Sequence, residues 1–228
     1  MHLSPKIFAI VQSYLPLHDI AALVLTCREV NRWVDMNDVI REYYLVIDKP
    51  IEGQMNLACY HGYDSLLKYF HRIGEKFLKH LIGFASAGGQ LSTVRYLHSI
   101  GMDPTSDKGS TLRYASINGH LDVVKYLHSV GVDPTAGKNC AILWASYNGH
   151  LHVVEYLYSV GADPTADNNY AIKWASYRGH LEVVKYLYSV GADPTAGNNF
   201  AINAARANGH YSIVEYLLTV GATLRTTE

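Results

Sequence analysis

The histidines are the residues whose type and spacing most suggest chemistry. His120, His150, His180 and His210 follow one another at intervals of 30 residues, a ladder that resembles a set of metal ligands. If each belongs to one unit of a stack, neighbouring histidines lie about 10 Å apart, whereas the ligands of one zinc ion lie about 2.1 Å from it. We therefore expect these histidines to bond to local backbone groups and to hold no metal.

The other chemically capable residues do not form an active site either. Cys27, Cys59 and Cys140 lie far apart without paired spacing, which is typical of isolated buried thiols in a reducing compartment. No nucleophile is paired with a base and no glycine-rich phosphate loop follows a strand, so the sequence predicts neither an enzyme nor a cofactor. Four aspartates that precede prolines are predicted to form turns. They are Asp103, Asp133, Asp163 and Asp193.

The composition argues against several classes of partner. The chain has 228 residues, is 49% hydrophobic and 17% charged, and carries a formal net charge of −1. A protein that binds nucleic acid or an anionic membrane non-specifically would need a basic surplus that this sequence lacks. No stretch approaches the roughly 18 apolar residues of a membrane span. We expect a soluble, cytoplasmic and monomeric protein.

The elements that position these residues are copies of one unit. Six glycines open the copies, and from the second onwards they recur every 30 residues: Gly62, Gly89, Gly119, Gly149, Gly179 and Gly209. A fixed period of this size is typical of stacked supersecondary units. Each copy contains two apolar segments with helical spacing, each about ten residues long and too short to be stable alone. The sequence therefore predicts an all-α array in which every helix pair is packed between its neighbours.

One copy illustrates the expected local structure. Asn169 precedes the first helix and is predicted to cap it, as are Asn139 and Asn199 in their own copies. Trp174 is predicted to be buried in this helix, so that replacing it with alanine would cost about 3–5 kcal/mol. Gly179 is predicted to end the helix.

The second helix of each copy carries charge and tyrosine at fixed positions. Tyr158 and Tyr188 are expected to pack against adjacent copies. One position alternates in charge, which predicts weak, solvated ion pairs between copies. Its residues are Lys125, Glu155, Lys185 and Glu215.

Residues 179–187 and 191–193 resemble the second helix of the ankyrin repeat almost residue for residue, and most of the chain repeats the pattern. The resemblance implies a helical array that binds other proteins. The period of 30 is shorter than the family's usual 33 or so, and residues 170–175 replace its Thr-Pro-Leu-His-x-Ala opening. The missing residues fall between Asp163 and Ala171, where the family projects a β-hairpin, so we expect short loops.

The ankyrin resemblance also implies where a target protein would bind. In that family, the last residues of the first helix line the concave side, and Tyr and Arg are frequent at interface hot spots. Packing between adjacent first helices is the alternative role. The positions carried over are Tyr60, His61, Ile117, Asn118, Tyr147, Asn148, Tyr177, Arg178 and Asn208.

Residues 1–48 read as three short helices that make a poor core by themselves. Residues 5–7, 15–20 and 27–33 match the F-box motif in order and spacing, although residues 3–5 depart from its Leu-Pro opening. In that family the motif docks onto the Skp-type adaptor of a cullin ubiquitin ligase. The resemblance implies an adaptor-binding set of Leu3, Pro5, Ile7, Ile10, Leu15, Pro16, Ile20 and Leu23.

The sequence thus predicts an F-box-like helical domain at residues 1–48 and an array of six repeats at residues 49–228. Short repeats behind an F-box are similar to the ankyrin proteins that large DNA viruses of amoebae encode, which implies action in the host cytoplasm. The leading interpretation is a subunit that recruits a target protein to a ubiquitin ligase. The alternative is a plain scaffold or decoy whose N-terminal helices only cap the stack.

Overall fold

The computed structural model describes residues 49–224, and the chain divides into two compact units, Met1–Leu78 and Lys79–Glu228. The predicted domain boundary at residue 48 stays a prediction, because residues 1–48 lie outside the described part. Twelve α-helices and no strand occur within residues 49–224. They are α1 (Ile51–His61), α2 (Asp64–Arg72), α3 (Leu81–Ala87), α4 (Leu91–Ser99), α5 (Ser110–Ile117), α6 (Leu121–Ser129), α7 (Ala136–Tyr147), α8 (Leu151–Ser159), α9 (Ala166–Arg178), α10 (Leu181–Ser189), α11 (Ala196–Ala207) and α12 (Tyr211–Thr219).

The twelve helices form six consecutive pairs, which we number as repeats 1 to 6. Repeat 1 (α1 and α2) belongs to the first compact unit, and repeats 2 to 6 belong to the second. Within the second unit, successive first helices (α3, α5, α7, α9 and α11) pack side by side, and successive second helices pack less extensively. Among residues 49–224 no helix has the length and apolar character needed to cross a bilayer.

Apolar and small residues at helical spacing make the core of each repeat. In repeat 5, Ile172 and Ala175 of α9 are fully buried, and so are Val184 and Leu187 of α10. Ser176 is also fully buried, and its hydroxyl donates to the Ile172 carbonyl at 2.7 Å. A polar group satisfied within its own helix adds no desolvation penalty, so the first helices can approach closely.

The turns before the first helices are short, and their aspartates act as predicted. Asp163 Oδ1 accepts hydrogen bonds from the Thr165 backbone N–H and hydroxyl, at 2.8 and 2.7 Å. The same arrangement recurs at Asp103, where hydrogen bonds from Thr105 hold the pKa of the carboxyl below its usual value. Short loops without a β-hairpin are confirmed for the described residues.

The predicted helix cap at Asn169 is wrong. Asp167, Asn168 and Asn169 adopt left-handed backbone angles, with φ of 52°, 60° and 62°. In this conformation the Asn169 side chain reaches the next repeat, where its Oδ1 accepts from the Asp193 backbone N–H at 2.8 Å. Asn tolerates left-handed angles better than most residues, because its short side chain bonds locally. The correction applies equally to Asn139, which accepts from Asp163, and to Asn199, which accepts from Thr223.

The histidine ladder also joins neighbouring repeats. His180 Nε2 donates to the Tyr147 carbonyl at the end of α7, at 3.0 Å and 33 residues away in sequence. His120, His150 and His210 make the same bond, to Ala87, Ile117 and Tyr177. The structural role is therefore as expected, but the carbonyl belongs to the preceding repeat and is not local.

The second helices are joined by aromatic contacts. Tyr158 and Tyr188 each pack edge-on against a tyrosine of the next repeat, Tyr186 and Tyr216, with ring centroids 6.2 Å apart. Inter-repeat packing is thus confirmed for both. The predicted ladder of ion pairs is wrong, because Lys125 lies 5.6 Å over the Tyr156 ring and Lys185 pairs at 2.9 Å with Glu182 of its own helix.

Candidate protein-binding surface

A row of aromatic side chains runs along the first helices of the second unit. The same position of α3, α5, α7 and α9 carries them, at intervals of 30 residues, whereas α11 has Ala204 there. We call these four residues the aromatic row: Phe84, Tyr114, Trp144 and Trp174. Phe84 and Tyr114 are each 38% exposed, and the two tryptophans are half-buried. A partly exposed aromatic row offers large, rigid contact area to a partner at low entropic cost.

Trp174 lies at the centre of the densest part of this surface. Its ring meets Tyr177 of the same helix at 5.3 Å and Tyr147 of the preceding repeat at 5.9 Å, both edge to face. Phe200 of the following repeat lies 6.0 Å away, and Tyr170 lies 6.2 Å away. Rings from three consecutive repeats therefore form one aromatic cluster.

The predicted burial of Trp174 in the core is wrong. The core positions of α9 are taken by Ala171, Ile172 and Ala175, and Trp174 lies beside them at the margin, half-buried. Its size made it look like a core residue, whereas the small residues fill the space between closely packed first helices. Trp174 therefore belongs to the partly exposed aromatic row and not to the core.

Two of the predicted target-binding residues are brought together across a repeat boundary. The Arg178 guanidinium carbon lies 4.9 Å from the centroid of the Tyr147 ring, a cation–π contact between α9 and α7. Tyr177, which is 37% exposed, extends the cluster beside them. These side chains present both apolar area and positive charge to solvent.

The asparagines predicted to bind a target form hydrogen bonds with carbonyls of the first helices. Asn148 Nδ2 donates to the Trp144 carbonyl at 2.9 Å, and Asn208 Nδ2 donates to the Ala204 carbonyl at 2.8 Å. Asn118 Nδ2 donates to the Ala87 carbonyl of the preceding repeat at 2.8 Å. These amides therefore secure the C-terminal ends of first helices, next to the aromatic row.

The remaining predicted residues lie at first-helix ends with different surroundings. Ile117 is half-buried at the end of α5. Tyr60 and His61 are exposed at the end of α1, in the first compact unit, where the His61 ring stacks on Tyr63 at 5.5 Å. A binding role for every carried-over position stays a prediction.

An apolar cleft of about 190 Å³ lies at the start of the aromatic row, lined by His80, Gly83, Phe84, Ala87 and Tyr114. It exists because Gly83 and Ala87 are small where repeat 5 carries Lys173 and Tyr177. An apolar side chain of a partner fits such a cleft better than a polar metabolite does.

The described residues do not suggest a metal or a nucleophile. Among residues 49–224 no group of three His, Cys, Asp or Glu side chains is placed to hold a metal ion. Burial raises the pKa of the Cys59 thiol to about 12 and also raises that of Cys140. Both thiols are therefore protonated at neutral pH and poor nucleophiles.

Stacked helix pairs with an exposed aromatic face define a repeat protein that acts through a surface. The family model described as "Ankyrin repeats (3 copies)" matches residues 55–138 and 142–228. The chain belongs to the ankyrin-repeat family, and it is a protein–protein interaction module. A search of curated proteins finds no match to the chain.

Proposed function

We propose that the chain recruits a target protein to a cullin-type ubiquitin ligase. Residues 1–48 dock onto a Skp-type adaptor, and the aromatic row with its neighbours Tyr147, Tyr177 and Arg178 binds the target. If the protein is viral, the adaptor belongs to the host. The chain itself performs no bond-making step.

One observation carries the target-binding half of the proposal. The cluster of Tyr147, Trp174, Tyr177 and Arg178 spans two repeats and is held by ring contacts of 5.3–5.9 Å and a cation–π contact of 4.9 Å. Trp, Tyr and Arg are the residue types most enriched at interface hot spots, and rings held by neighbouring rings lose little entropy on binding.

The adaptor-binding half is supported by the F-box resemblance of residues 1–48. Its apolar set includes Ile7 and Ile10, which have the spacing of one helical face. The three short helices predicted there would make a poor core by themselves, so a protein partner would supply the missing apolar cover.

Co-purification with a Skp-type adaptor tests the proposal. The full chain should retain the adaptor, and both Leu15→Asp and deletion of residues 1–47 should abolish retention, because a buried carboxylate disrupts an apolar interface. The control is Tyr177→Ala/Arg178→Ala, which should bind the adaptor as the unmodified chain does. No binding at about micromolar concentration would instead favour a plain scaffold or decoy.

A further inference from the structure

Lys173 on α9 is a lysine in an unusual place. It is only 7% exposed, whereas lysines are almost never this buried unless paired. Its ammonium lies over the Tyr170 ring, with Nζ 5.7 Å from the centroid. Within residues 49–224 no carboxylate or carbonyl accepts a hydrogen bond from it.

The next repeat leaves room for the ammonium. A Cβ at Gly197 would lie 2.7 Å from Lys173 Nζ and 2.9 Å from its Cε, so any other residue there would displace the end of the lysine side chain. Gly197 begins the left-handed turn 197–199 within α11, and the right-handed part of that helix follows the turn. The backbone N–H groups of Gly197 and Asn198 donate to no carbonyl of the described residues.

The charge at this point is positive from two sources. The N-terminal end of a helix carries partial positive charge and free N–H groups, and the lysine ammonium points to the same turn. The surroundings are otherwise aromatic, since Tyr170, Trp174 and Phe200 lie together there. An anion with an apolar neighbour fits this combination of charge and ring surface.

We propose that Lys173, Gly197 and the turn after it form a subsite that binds the carboxylate of an Asp or Glu side chain in an otherwise apolar segment of the target protein. The inference rests on the proposed function, because it places one recognition contact within the target-binding surface. A carboxylate fits better than a phosphate group, since phosphate recognition draws on clusters of arginines and this site holds one lysine.

The preceding repeat shows that the charge is not needed for folding. Leu143 occupies the position equivalent to Lys173, and the fold accommodates it half-buried. In Lys173 the aliphatic stem is covered, whereas the ammonium, which has no hydrogen-bond partner among the described residues, still touches solvent. Packing alone would be met equally well by leucine, and a carboxylate of the target accounts for the charge.

The test is a selection of random peptides, about twelve residues long, on the unmodified full-length protein, followed by affinity measurements. Selected peptides should carry Asp or Glu beside aromatic or aliphatic residues. Lys173→Leu should weaken their binding about tenfold or more, the loss expected for one charge-assisted hydrogen bond. It should also remove the preference for a peptide over its version with Gln in place of Glu.

Two controls separate the subsite from general effects. Lys125→Leu removes the same charge from the second-helix face and should leave peptide affinity unchanged. The melting temperature of Lys173→Leu should equal or exceed that of the unmodified protein, so that weaker binding does not reflect unfolding.

Four results would overturn the subsite: selected peptides without acids, equal affinity for Lys173→Leu, tighter binding of phosphoserine versions, or no peptide binding below about 100 µM. If Lys173→Leu has no effect but Tyr177→Ala/Arg178→Ala abolishes binding, the subsite fails and the target-binding surface stands. If neither variant changes binding, both proposals fail.

Discussion

The contact between Gly149 and His180 offers a sharp test of how the repeats are joined. Gly149 follows α7 with φ of 79°, and a Cβ there would lie 2.5 Å from His180 Nδ1. In Gly149→Ala the imidazole must therefore move, and its 3.0 Å bond to the Tyr147 carbonyl is lost. Gly209 is the matched control, because its φ is 76° and nothing lies within 4 Å of a Cβ added there.

The magnitudes follow from these two environments. Alanine in a left-handed conformation costs about 1–2 kcal/mol, which both variants share. Gly149→Ala also loses a hydrogen bond worth about 1 kcal/mol, for a total of about 2–3 kcal/mol. Urea denaturation of Gly149→Ala, Gly209→Ala and the unmodified protein measures the difference.

The histidine can be removed to confirm the cause. In a His180→Ala background, adding Gly149→Ala should lower the free energy of unfolding no more than Gly209→Ala does, because the imidazole with which the new Cβ would clash is gone. Equal costs for the two glycine variants in the presence of His180 would refute the claim that the histidine joins the repeats.

Two further predictions concern the same junctions. Burial lowers the pKa of His150 and His180 below the ordinary 6.5, so the unfolded chain binds protons first as the pH falls. Their contribution to the free energy of unfolding is complete above pH 6.5 and is lost below it. Urea denaturation at pH 7.5 and 5.5 should show the lower free energy of unfolding at the lower pH. This difference should be smaller in His150→Asn/His180→Asn. An equal difference in the double variant and the unmodified protein would contradict the assignment to these histidines. Asn169→Ala should cost about 1 kcal/mol more than Asn168→Ala, because both lose a residue suited to left-handed angles but only Asn169 bonds to the next repeat. Thermal denaturation of the two variants checks this, and equal melting temperatures would refute it.

The architecture could be predicted from the sequence because it depends on chain length and periodicity. Short apolar segments at helical spacing can be buried only by stacking, and the 30-residue period fixes which residues are equivalent. Gly179 at the end of α9 and Asp163 in its turn followed from local rules that act within a few residues. The family match agrees with this reading of residues 55–138 and 142–228.

The contacts between repeats could not be predicted in the same way. His180 bonds to a carbonyl 33 residues away, and Asn169 bonds to an N–H 24 residues away, so neither partner is visible locally. An asparagine before a helix looks the same whether it caps the helix or adopts a left-handed angle. Only the backbone conformation decides between the two.

The composition of the candidate surface was predicted in part, and its binding role stays a prediction. The first-helix ends were singled out through Tyr147, Tyr177 and Arg178, but Trp174 was assigned to the core because large apolar residues are usually buried. The 30-residue recurrence of Phe84 and Tyr114 with the two tryptophans was the signal that could have found the aromatic row. The burial of Lys173 could not be predicted from the sequence, because it depends on the space that Gly197 leaves beside the lysine in the folded array.

The central claim is that the first-helix face of the array binds a target protein. Once proximity labelling has supplied that target, its affinity for Tyr177→Ala/Arg178→Ala should be measured beside that for Tyr188→Ala/Lys185→Ala. The second pair likewise removes one tyrosine and one cationic side chain, from the second-helix face of the same repeat, and Tyr177 and Tyr188 are 37% and 38% exposed. We predict a loss of about tenfold or more for the first pair and none for the second. Equal losses, or a loss confined to the second pair, would contradict the account.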